Sequence, residues 1–407
     1  MKVIEGGVTA AQGFEAAGVE ASIKYQNRKD MALIYSRKPC VAAGVFTSNI
    51  VKAAPVIWDK EVVAHSPYAQ AVVVNAGIAN ACTGSQGYEC CKQTAQAAAE
   101  YLQIPEDAVL VASTGVIGRQ MPTDKIMEGV KKLAEQKAAT REAGSIAAEA
   151  IMTTDTVSKQ SAVSFEIGGK TVTLGGMCKG SGMIHPNMCT MLGFLTTDIA
   201  ISKELLQEAL RENVDDTFNM ISVDGDTSTN DTLVILANGM AENPEITSKN
   251  EDYHKFREAL NHVNTTLAKM MAGDGEGATA LFETKVIHAR TKEDARKLSK
   301  SVICSNLSKA AVFGHDANCG RFLCALGYAG VEFDPERLDV FLESEGRSLL
   351  VYRDGNVTDY SEEEATQILS ASEVRVLVDM KEGDGEATAW GCDLTYDYVK
   401  INADYRS

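Results

Sequence analysis

The chain of 407 residues lacks the segments that mark several large classes of protein. No apolar run reaches the roughly 18 residues that a membrane-spanning helix needs. Residues 1–22 include Glu5 and no apolar core, so we expect no secretory signal peptide. Lysine and arginine number 39 against 56 aspartates and glutamates, and no basic stripe is present to bind phosphates. We therefore expect neither a membrane nor a nucleic acid as a partner.

The ten cysteines and six histidines form no metal-binding pattern. The sequence has no CxxC pair, no Cys/His ladder of the zinc type and no HExxH. We predict that the protein has no metal site and needs no resident cofactor. Because no export signal is expected either, reduced thiols and a cytoplasmic location are the default.

Enough apolar residues are present for a sizeable core, at 45% hydrophobic against 23% charged. The length fits roughly two to three domains or one large layered unit. Charge is uneven, because residues 1–189 hold 18 basic and 17 acidic side chains whereas the rest hold 21 and 39. This acidic half is typical of a solvated surface; attraction of a cationic substrate is the alternative.

Short runs rich in β-branched residues alternate with helical stretches, which predicts an α/β or layered α+β fold. Strands are predicted at residues 31–36, 71–75, 109–112, 163–167, 172–174, 191–196, 232–237, 310–313, 338–342, 349–352 and 374–378. Helices are predicted at residues 89–102, 123–152, 203–212, 253–271, 291–304 and 362–369. Gly168 and Gly169 predict a hairpin turn, and Thr123 and Ser361 have the side chains of helix N-caps.

Glycines, small hydroxyl residues and charge are densest in MCKGSGMIHPNMCTMLGFLTTD, residues 177–198. The GxxxxGK[ST] phosphate loop is absent, and Lys179 precedes the glycines. The Cys189–Thr190 bond joins this loop to a predicted strand. A threonine that begins a buried strand becomes a nucleophile when the peptide before it is cut, because its freed α-amine, with a pKa of about 7.7–8.0, is the adjacent base. On spacing alone, a threonine in this position is more often a packed core residue than a nucleophile.

Two further segments have the composition of a site. ASTGVIG, residues 112–118, ends a predicted strand with glycines that let backbone N–H groups converge, as an oxyanion hole requires, although an ordinary turn has the same pattern. DGDTSTND, residues 224–231, begins like a calcium loop. It lacks the glycine at its sixth position and the glutamate at its twelfth, so we exclude an EF-hand and expect a polar loop, either structural or facing a ligand.

Seven sequence blocks carry a resemblance to a known family. In chain order they are LVASTGVIG, AIMTTDT, GGMCKGSGMIHPNMCTMLGFLTTD, SVDGDTSTNDT, AGDGEGAT, FGHDANCGR and the tail WGCDLTYDYVKINADYRS. Together they resemble the ornithine acetyltransferase family of arginine biosynthesis, from about residue 5 to the last residue. The resemblance implies an N-terminal-nucleophile-like sandwich, with two sheets layered between helices. It also implies a precursor that cuts itself before Thr190. The products are an α chain, residues 1–189, and a β chain, residues 190–407, which stay together, usually as an α2β2 assembly.

The resemblance also implies roles for single residues. Thr190 corresponds to the nucleophile, and Thr114 with Gly115 corresponds to the oxyanion hole. The corresponding substrate contacts are Thr153, Lys179, Thr190, Glu276, Asn402 and Ser407. Thr154 stands beside Thr153, and the sequence leaves open which of the two hydroxyl groups faces the substrate.

Three positions depart from the family pattern. Cys189 stands where alanine is usual before the nucleophile, and we expect self-cleavage because cysteine is nearly as small. Cys319 stands where tryptophan is usual. Ser407 ends the chain where threonine is more frequent, and it keeps the hydroxyl group.

The reaction that the resemblance implies is transfer of an acetyl group from N-acetylornithine to glutamate through an acetyl-Thr190 intermediate. Whether acetyl-CoA also serves as an acetyl donor is left open by the sequence. Two alternatives remain at this point. One is a threonine-nucleophile amidase or aminopeptidase of the same structural group, and the other is an uncleaved, non-catalytic relative.

Overall fold

The computed structural model describes residues 1–185 and 191–404, which form sixteen strands and eleven α-helices. The strands are β1 (Lys2–Ile4), β2 (Phe14–Val19), β3 (Met31–Phe46), β4 (Ala69–Ile78), β5 (Val109–Val116), β6 (Lys159–Ile167), β7 (Lys170–Lys179), β8 (Leu192–Thr197), β9 (Ile221–Ser222), β10 (Thr232–Ala237), β11 (Leu281–Ala289), β12 (Asp339–Ser344), β13 (Arg347–Arg353), β14 (Asn356–Val357), β15 (Glu373–Asp379) and β16 (Gly385–Cys392). The helices are α1 (Ala54–His65), α2 (Gly84–Leu102), α3 (Thr123–Gln136), α4 (Arg141–Ala150), α5 (Lys203–Val214), α6 (Glu251–Gly273), α7 (Lys292–Cys304), α8 (Asn306–Phe313), α9 (Cys319–Gly327), α10 (Glu362–Leu369) and α11 (Tyr396–Asp404).

The larger sheet is bent into two layers by one long strand. In the described residues its strands run in the order β1–β6–β7–β8–β10–β3–β4–β5, with β2 also paired to β3. The first part of β3 pairs with β2 and β4, whereas its last six residues pair with β10. Strand β3 therefore belongs to both layers and connects them.

Alternate side chains of the strands show how the layers pack, because successive residues of a strand face opposite sides. Val72 of β4 shares a buried cluster with Phe194 of β8, so the two layers pack face to face. Val73 faces the other way and packs with α2 and α3. Leu195 of β8 likewise packs with α5 and α6. The order helix, sheet, sheet, helix confirms the predicted sandwich.

A second sheet is built almost entirely from the later part of the chain. Its strands, as far as the structure describes them, run in the order β14–β13–β12–β15–β11–β16–β9. Helix α6 contacts β6 and β7 of the larger sheet and also β11 and β16 of the smaller one. The two sheets thus share one helix and one continuous apolar cluster. Among the described helices, each is too short or too polar to cross a bilayer.

Three sequence-based assignments were wrong. Thr123 is not an N-cap: it is the first residue of α3, Pro122 holds the cap position, and no side chain of the described residues makes a capping hydrogen bond there. The single helix predicted for residues 123–152 is two helices, α3 and α4, because the backbone of Ala138 between them exchanges hydrogen bonds of 3.0 Å with Ala16. Thr140 then caps α4 by accepting from the N–H of Ala143. The strand predicted for residues 310–313 is the end of α8, which Ser305 caps. A four-residue apolar run has no periodicity that separates a strand from a buried helix.

Candidate active site

The predicted site residues that the structure describes all line one cavity of about 140 Å³. They are Thr114, Gly115, Thr153, Lys179, Glu276 and Asn402. Cys189, Thr190 and Ser407 lie outside the described residues. Met191, which follows Thr190 in the chain, also lines the cavity, immediately before β8. The structure therefore brings together residues from five separate parts of the sequence, and their catalytic roles stay predictions.

Lys179 ends β7, and its side chain is held by hydroxyl and carboxylate oxygens. Its Nζ donates to Oγ1 of Thr153 at 2.8 Å and lies 3.6 Å from Oδ2 of Asp155. Thr154 lines the cavity as well, but the described contact of Lys179 is with Thr153. We call Thr153, Asp155 and Lys179 the lysine group.

Asp155, which no sequence motif pointed to, does not line the cavity but holds the other members of this group in place. Its carboxylate accepts the backbone N–H groups of Gly180 at 2.6 Å and Thr153 at 3.1 Å. Burial disfavours the charged carboxylate and by itself would raise its pKa. The ammonium charges of Lys179 and Lys159 outweigh this effect, together with the hydrogen bonds from Lys159 and from the N–H of Gly180. They hold the pKa of Asp155 well below its usual range. Asp155 is therefore ionised at neutral pH.

Lys159 begins β6 and is fully buried. Its Nζ donates to Asp155 at 2.8 Å and to Asp274 at 2.5 Å. Burial alone would lower the pKa of Lys159, yet the two carboxylates raise it above its ordinary value. Asp274 stands two residues before Glu276, so this ion network reaches from the lysine group to a second part of the cavity.

Glu276 is buried at that second part, and two neighbours fix its carboxylate. Nδ2 of Asn402, on α11, donates to Oε2 of Glu276 at 2.7 Å. A Cβ placed on Gly182 would lie only 2.3 Å from the carboxylate carbon of Glu276, so the glutamate packs against bare backbone there. We call Gly182, Glu276 and Asn402 the glutamate group.

Thr114 and Gly115 lie near the end of β5, where the ladder with β4 is irregular. Gly115 has φ of +128°, and a Cβ there would lie 2.2 Å from the carbonyl carbon of Gly77. Only glycine fits this close strand approach. Asn230, from the acidic run, donates from Nδ2 to the carbonyl oxygens of Ala79 at 2.5 Å and Ser113 at 2.8 Å, which joins β4 and β5 beside the cavity.

The same acidic run also fixes the loop that leads toward residue 190. Asp224 accepts the backbone N–H groups of Met183 at 2.6 Å and Ile184 at 2.9 Å. It also accepts a hydrogen bond of 3.3 Å from the hydroxyl of Tyr398 on α11. The run predicted as a polar loop is thus structural at Asp224, and its residues 228–231 face the cavity. No group of three or more His, Cys, Asp or Glu in the described ranges is arranged to hold a metal ion.

Comparisons with known proteins agree along the whole chain. The ArgJ family profile matches residues 15–407. The arginine biosynthesis bifunctional protein ArgJ of Symbiobacterium thermophilum is 53% identical, over 100% of both chains. The protein of the same name from Bacillus subtilis is 45% identical, over 99% of this chain and 97% of its own. A crystal structure of the Bacillus halodurans arginine biosynthesis bifunctional protein ArgJ, 45% identical, covers 52% of this chain and 97% of its own with a TM-score of 0.50.

These matches confirm the resemblance to the ornithine acetyltransferases of arginine biosynthesis that the seven sequence blocks predicted. A profile match over most of the chain and full-length relatives near half identical leave one assignment: the chain belongs to the ArgJ family.

Proposed function

We propose that this acyltransferase moves an acetyl group from N-acetylornithine to the amine of glutamate, giving ornithine and N-acetylglutamate. The observation that carries the proposal is the meeting of the lysine group, the glutamate group and Thr114 with Gly115 of β5 in one cavity. We also propose acetyl-CoA as a second acetyl donor, which the word bifunctional in the relatives' names supports. The resemblance to the family supports a cytoplasmic enzyme.

The charges of the cavity match those of the substrates. Both N-acetylornithine and glutamate carry an α-carboxylate, which the ammonium group of Lys179 would bind. The δ-ammonium of ornithine needs an anionic partner, and the buried carboxylate of Glu276 supplies one. A hydrogen bond to a charged group contributes about 1.5–3 kcal/mol. These two contacts would therefore orient the acetylated α-nitrogen in the same way in each catalytic cycle.

Maturation begins with attack of Thr190 Oγ on the carbonyl carbon of Cys189. The peptide C–N bond breaks, the amine of Thr190 takes up a proton, and water hydrolyses the resulting ester. In turnover the free amine takes the proton from Oγ, which attacks the acetyl carbon of N-acetylornithine. The Thr114 hydroxyl and the Gly115 N–H stabilise the oxyanion, where loss of one donor costs about 2.7–4 kcal/mol.

Ornithine leaves with the proton from the Thr190 amine, and glutamate takes its place. The neutral α-amine of glutamate attacks the acetyl carbon of acetyl-Thr190, the bond from that carbon to Oγ breaks, and the proton that the glutamate amine loses passes through the Thr190 amine to Oγ. Each half-reaction uses the same nucleophile and the same base, so the scheme is ping-pong. It requires no metal or nucleotide step.

The position of the predicted cut is compatible with two chains that stay together. Strand β7 precedes the cut and β8 follows it, and they pair antiparallel with Lys179 opposite Leu192. Strand β10 of the predicted β chain pairs in turn with β3 of the predicted α chain. These ladders support an α chain of residues 1–189 and a β chain of residues 190–407 that remain associated, and we propose the α2β2 assembly usual in the family.

The test compares the wild-type protein with Thr190→Ala and Thr190→Ser. On a denaturing gel we expect the wild-type chain of 43.6 kDa to give bands of about 20 and about 23 kDa, whereas Thr190→Ala stays at full length. N-acetylglutamate should form from glutamate with either N-acetylornithine or acetyl-CoA in the wild type, and not in Thr190→Ala. Thr190→Ser, which keeps a hydroxyl, should retain some cleavage and transfer.

Three outcomes would contradict the proposal. Release of acetate without N-acetylglutamate would identify an amidase instead. A wild-type chain that stays uncut would indicate the non-catalytic alternative. Normal cleavage of Thr190→Ala would place the nucleophile at another residue.

A further inference from the structure

Lys159 contacts neither Thr114 nor Gly115 and lies behind the cavity, yet its ammonium group joins the two halves of the site. We propose that Lys159 is a positioning residue that sets the spacing between the lysine group and the glutamate group, and through it the chain length of the substrate. This inference rests on the proposed function, because it takes the two groups to bind the two charged ends of ornithine.

The connection to the lysine group runs through Asp155. Nζ of Lys159 donates to Oδ1 of Asp155 at 2.8 Å, and the same oxygen accepts the N–H of Gly180 at 2.6 Å. The other oxygen accepts the N–H of Thr153 and faces Nζ of Lys179. Any shift of Asp155 therefore moves the backbone on both sides of the Thr153–Lys179 contact.

The connection to the glutamate group runs through Asp274. Nζ of Lys159 donates to Oδ2 of Asp274 at 2.5 Å, and the N–H of Thr156 donates to the same oxygen at 3.1 Å. The carbonyl oxygen of Asp274 accepts the hydroxyl of Ser181 at 2.6 Å. The carbonyl of Ser181 in turn accepts the N–H of Glu276 at 3.0 Å. Asp274 thus fixes the turn that carries Glu276.

One buried ammonium group holds both carboxylates. The side chain of Lys159 is fully buried and that of Asp155 is too, while 7% of the Asp274 side chain is exposed. Two carboxylates at this depth repel each other strongly unless a cation lies between them. Lys159 also donates to the carbonyl of Val157 at 3.2 Å, which uses its third N–H. All three protons have acceptors, so the ammonium has one position.

A fixed distance between Lys179 and Glu276 selects for substrate length. Ornithine has three methylene groups between its α-carbon and its δ-nitrogen, and a homologue with two or four cannot place both charged ends on both groups. A misplacement of about 1 Å can cost on the order of a hundredfold in rate. The network therefore acts on discrimination between homologues as well as on rate.

The experiment compares kcat/KM for N-acetylornithine with kcat/KM for its α-N-acetylated homologues of two and four methylene groups, 2,4-diaminobutyrate and lysine. The variants are Lys159→Met and Asp274→Asn. Asp274→Asn keeps the shape of the side chain, and it serves if Lys159→Met, which removes the ammonium partner of Asp274, prevents folding. Lys309→Met is the control, because Lys309 is also buried but donates to the carbonyls of Val223 and Cys392 outside the cavity.

We expect the preference for N-acetylornithine over both homologues to fall at least tenfold, or about 1.4 kcal/mol, in the two network variants. Lys309→Met should change this preference by less than about twofold, even if it lowers the midpoint of thermal unfolding. Self-cleavage on a gel reports whether each variant folds. Equal losses for all three substrates, with the preference unchanged, would show that Lys159 is structural only and would overturn the proposal.

Binding separates this proposal from the proposed function. If the wild-type protein formed no N-acetylglutamate, the proposed function would fail. Calorimetric titration of the same variants with ornithine and 2,4-diaminobutyrate would still test the spacing. A preference for ornithine that is the same in wild type and both network variants would overturn the proposal in that case too.

Discussion

The side-chain amide of Asn402 donates a hydrogen bond of 2.7 Å to Oε2 of Glu276 and so joins α11 to the cavity. Helix α11 has no buried side chain, although all its residues are described. Burial of the helix therefore contributes little to its position, and single contacts matter more. Its other described contact with the site is the hydrogen bond from Tyr398 to Asp224. Partial burial of Tyr398, and then the charges of Asp224 and Glu276, raise the pKa of its hydroxyl, so this donor keeps its proton.

Removal of residues 402–407 should lower transfer without preventing folding. We expect self-cleavage to remain, because the deletion touches neither the Cys189–Thr190 bond nor the main core, and kcat/KM for N-acetylornithine to fall at least tenfold. Asn402→Ala should give part of this loss, and Asn402→Asp more, because it places a second carboxylate beside Glu276. A truncated enzyme that is cut normally and keeps wild-type kcat/KM would show that the tail has no role in the reaction.

Gly182→Ala should impair substrate binding while leaving the fold stable. The new Cβ would displace the carboxylate of Glu276, the end of a flexible side chain, rather than any backbone. We expect KM for N-acetylornithine to rise at least tenfold and the midpoint of thermal unfolding to change by less than about 2 °C. Gly327→Ala is the matched control, because a Cβ there meets no atom within 4 Å. An unchanged KM in Gly182→Ala would mean that Glu276 does not bind substrate.

Lys179→Met should reduce kcat/KM for N-acetylornithine by roughly tenfold to a hundredfold, as expected for loss of a charged contact of about 1.5–3 kcal/mol. Lys179→Arg should recover part of the loss, because the charge remains. Lys170→Met, an exposed position at the other end of β7, is the control and should behave like wild type. If kinetics of Lys179→Met stayed within about twofold of wild type, Lys179 would have no part in binding.

The local parts of the fold could be predicted from the sequence. Strand β10 covers the predicted residues 232–237, and α10 covers the predicted 362–369 with Ser361 accepting from the N–H of Glu364. Gly168 and Gly169 both have positive φ in the predicted hairpin turn. Each of these features depends on residues within one turn or one strand. The break between α3 and α4 depends on a pairing with β2, about 120 residues earlier in the chain, and no local pattern predicts it.

The site, like the fold, has residues that could be predicted from the sequence and residues that could not. The resemblance to the family identified six of the residues that line the cavity, because they stand in quoted blocks. It did not identify Asp155, Lys159 or Asp274, which touch one another behind the lining. In a sequence, an isolated aspartate or lysine is most often a solvated surface residue. Only packing shows that these three are buried together, although Asp155 and Asp274 do stand inside the blocks AIMTTDT and AGDGEGAT.

A buried carboxyl group under β5 predicts an unusual dependence of stability on pH. Asp59 of α1 is fully buried; Oδ1 accepts the N–H of Val111 at 2.8 Å, and Oδ2 has no hydrogen-bond partner in the described residues. Burial raises its pKa well above the ordinary value, and the single backbone hydrogen bond offsets this only in part. The folded protein therefore binds this proton more tightly than the unfolded chain does.

The direction of the change in stability with pH follows from the difference in proton binding between the folded and unfolded states. Below the unfolded pKa of about 3.9 the group is protonated in both states and its contribution to stability is fully present. As pH rises toward the folded pKa, that contribution is lost, at about 1.4 kcal/mol for each unit by which the pKa is raised.

Asp59→Asn cannot titrate, so its midpoint of thermal unfolding should rise relative to wild type between pH 4 and pH 8, by at least about 2 °C. Asp107→Asn, exposed just before the same strand, is the control and should follow the wild-type profile. Parallel profiles for wild type and Asp59→Asn would mean that Asp59 does not titrate differently in the folded protein.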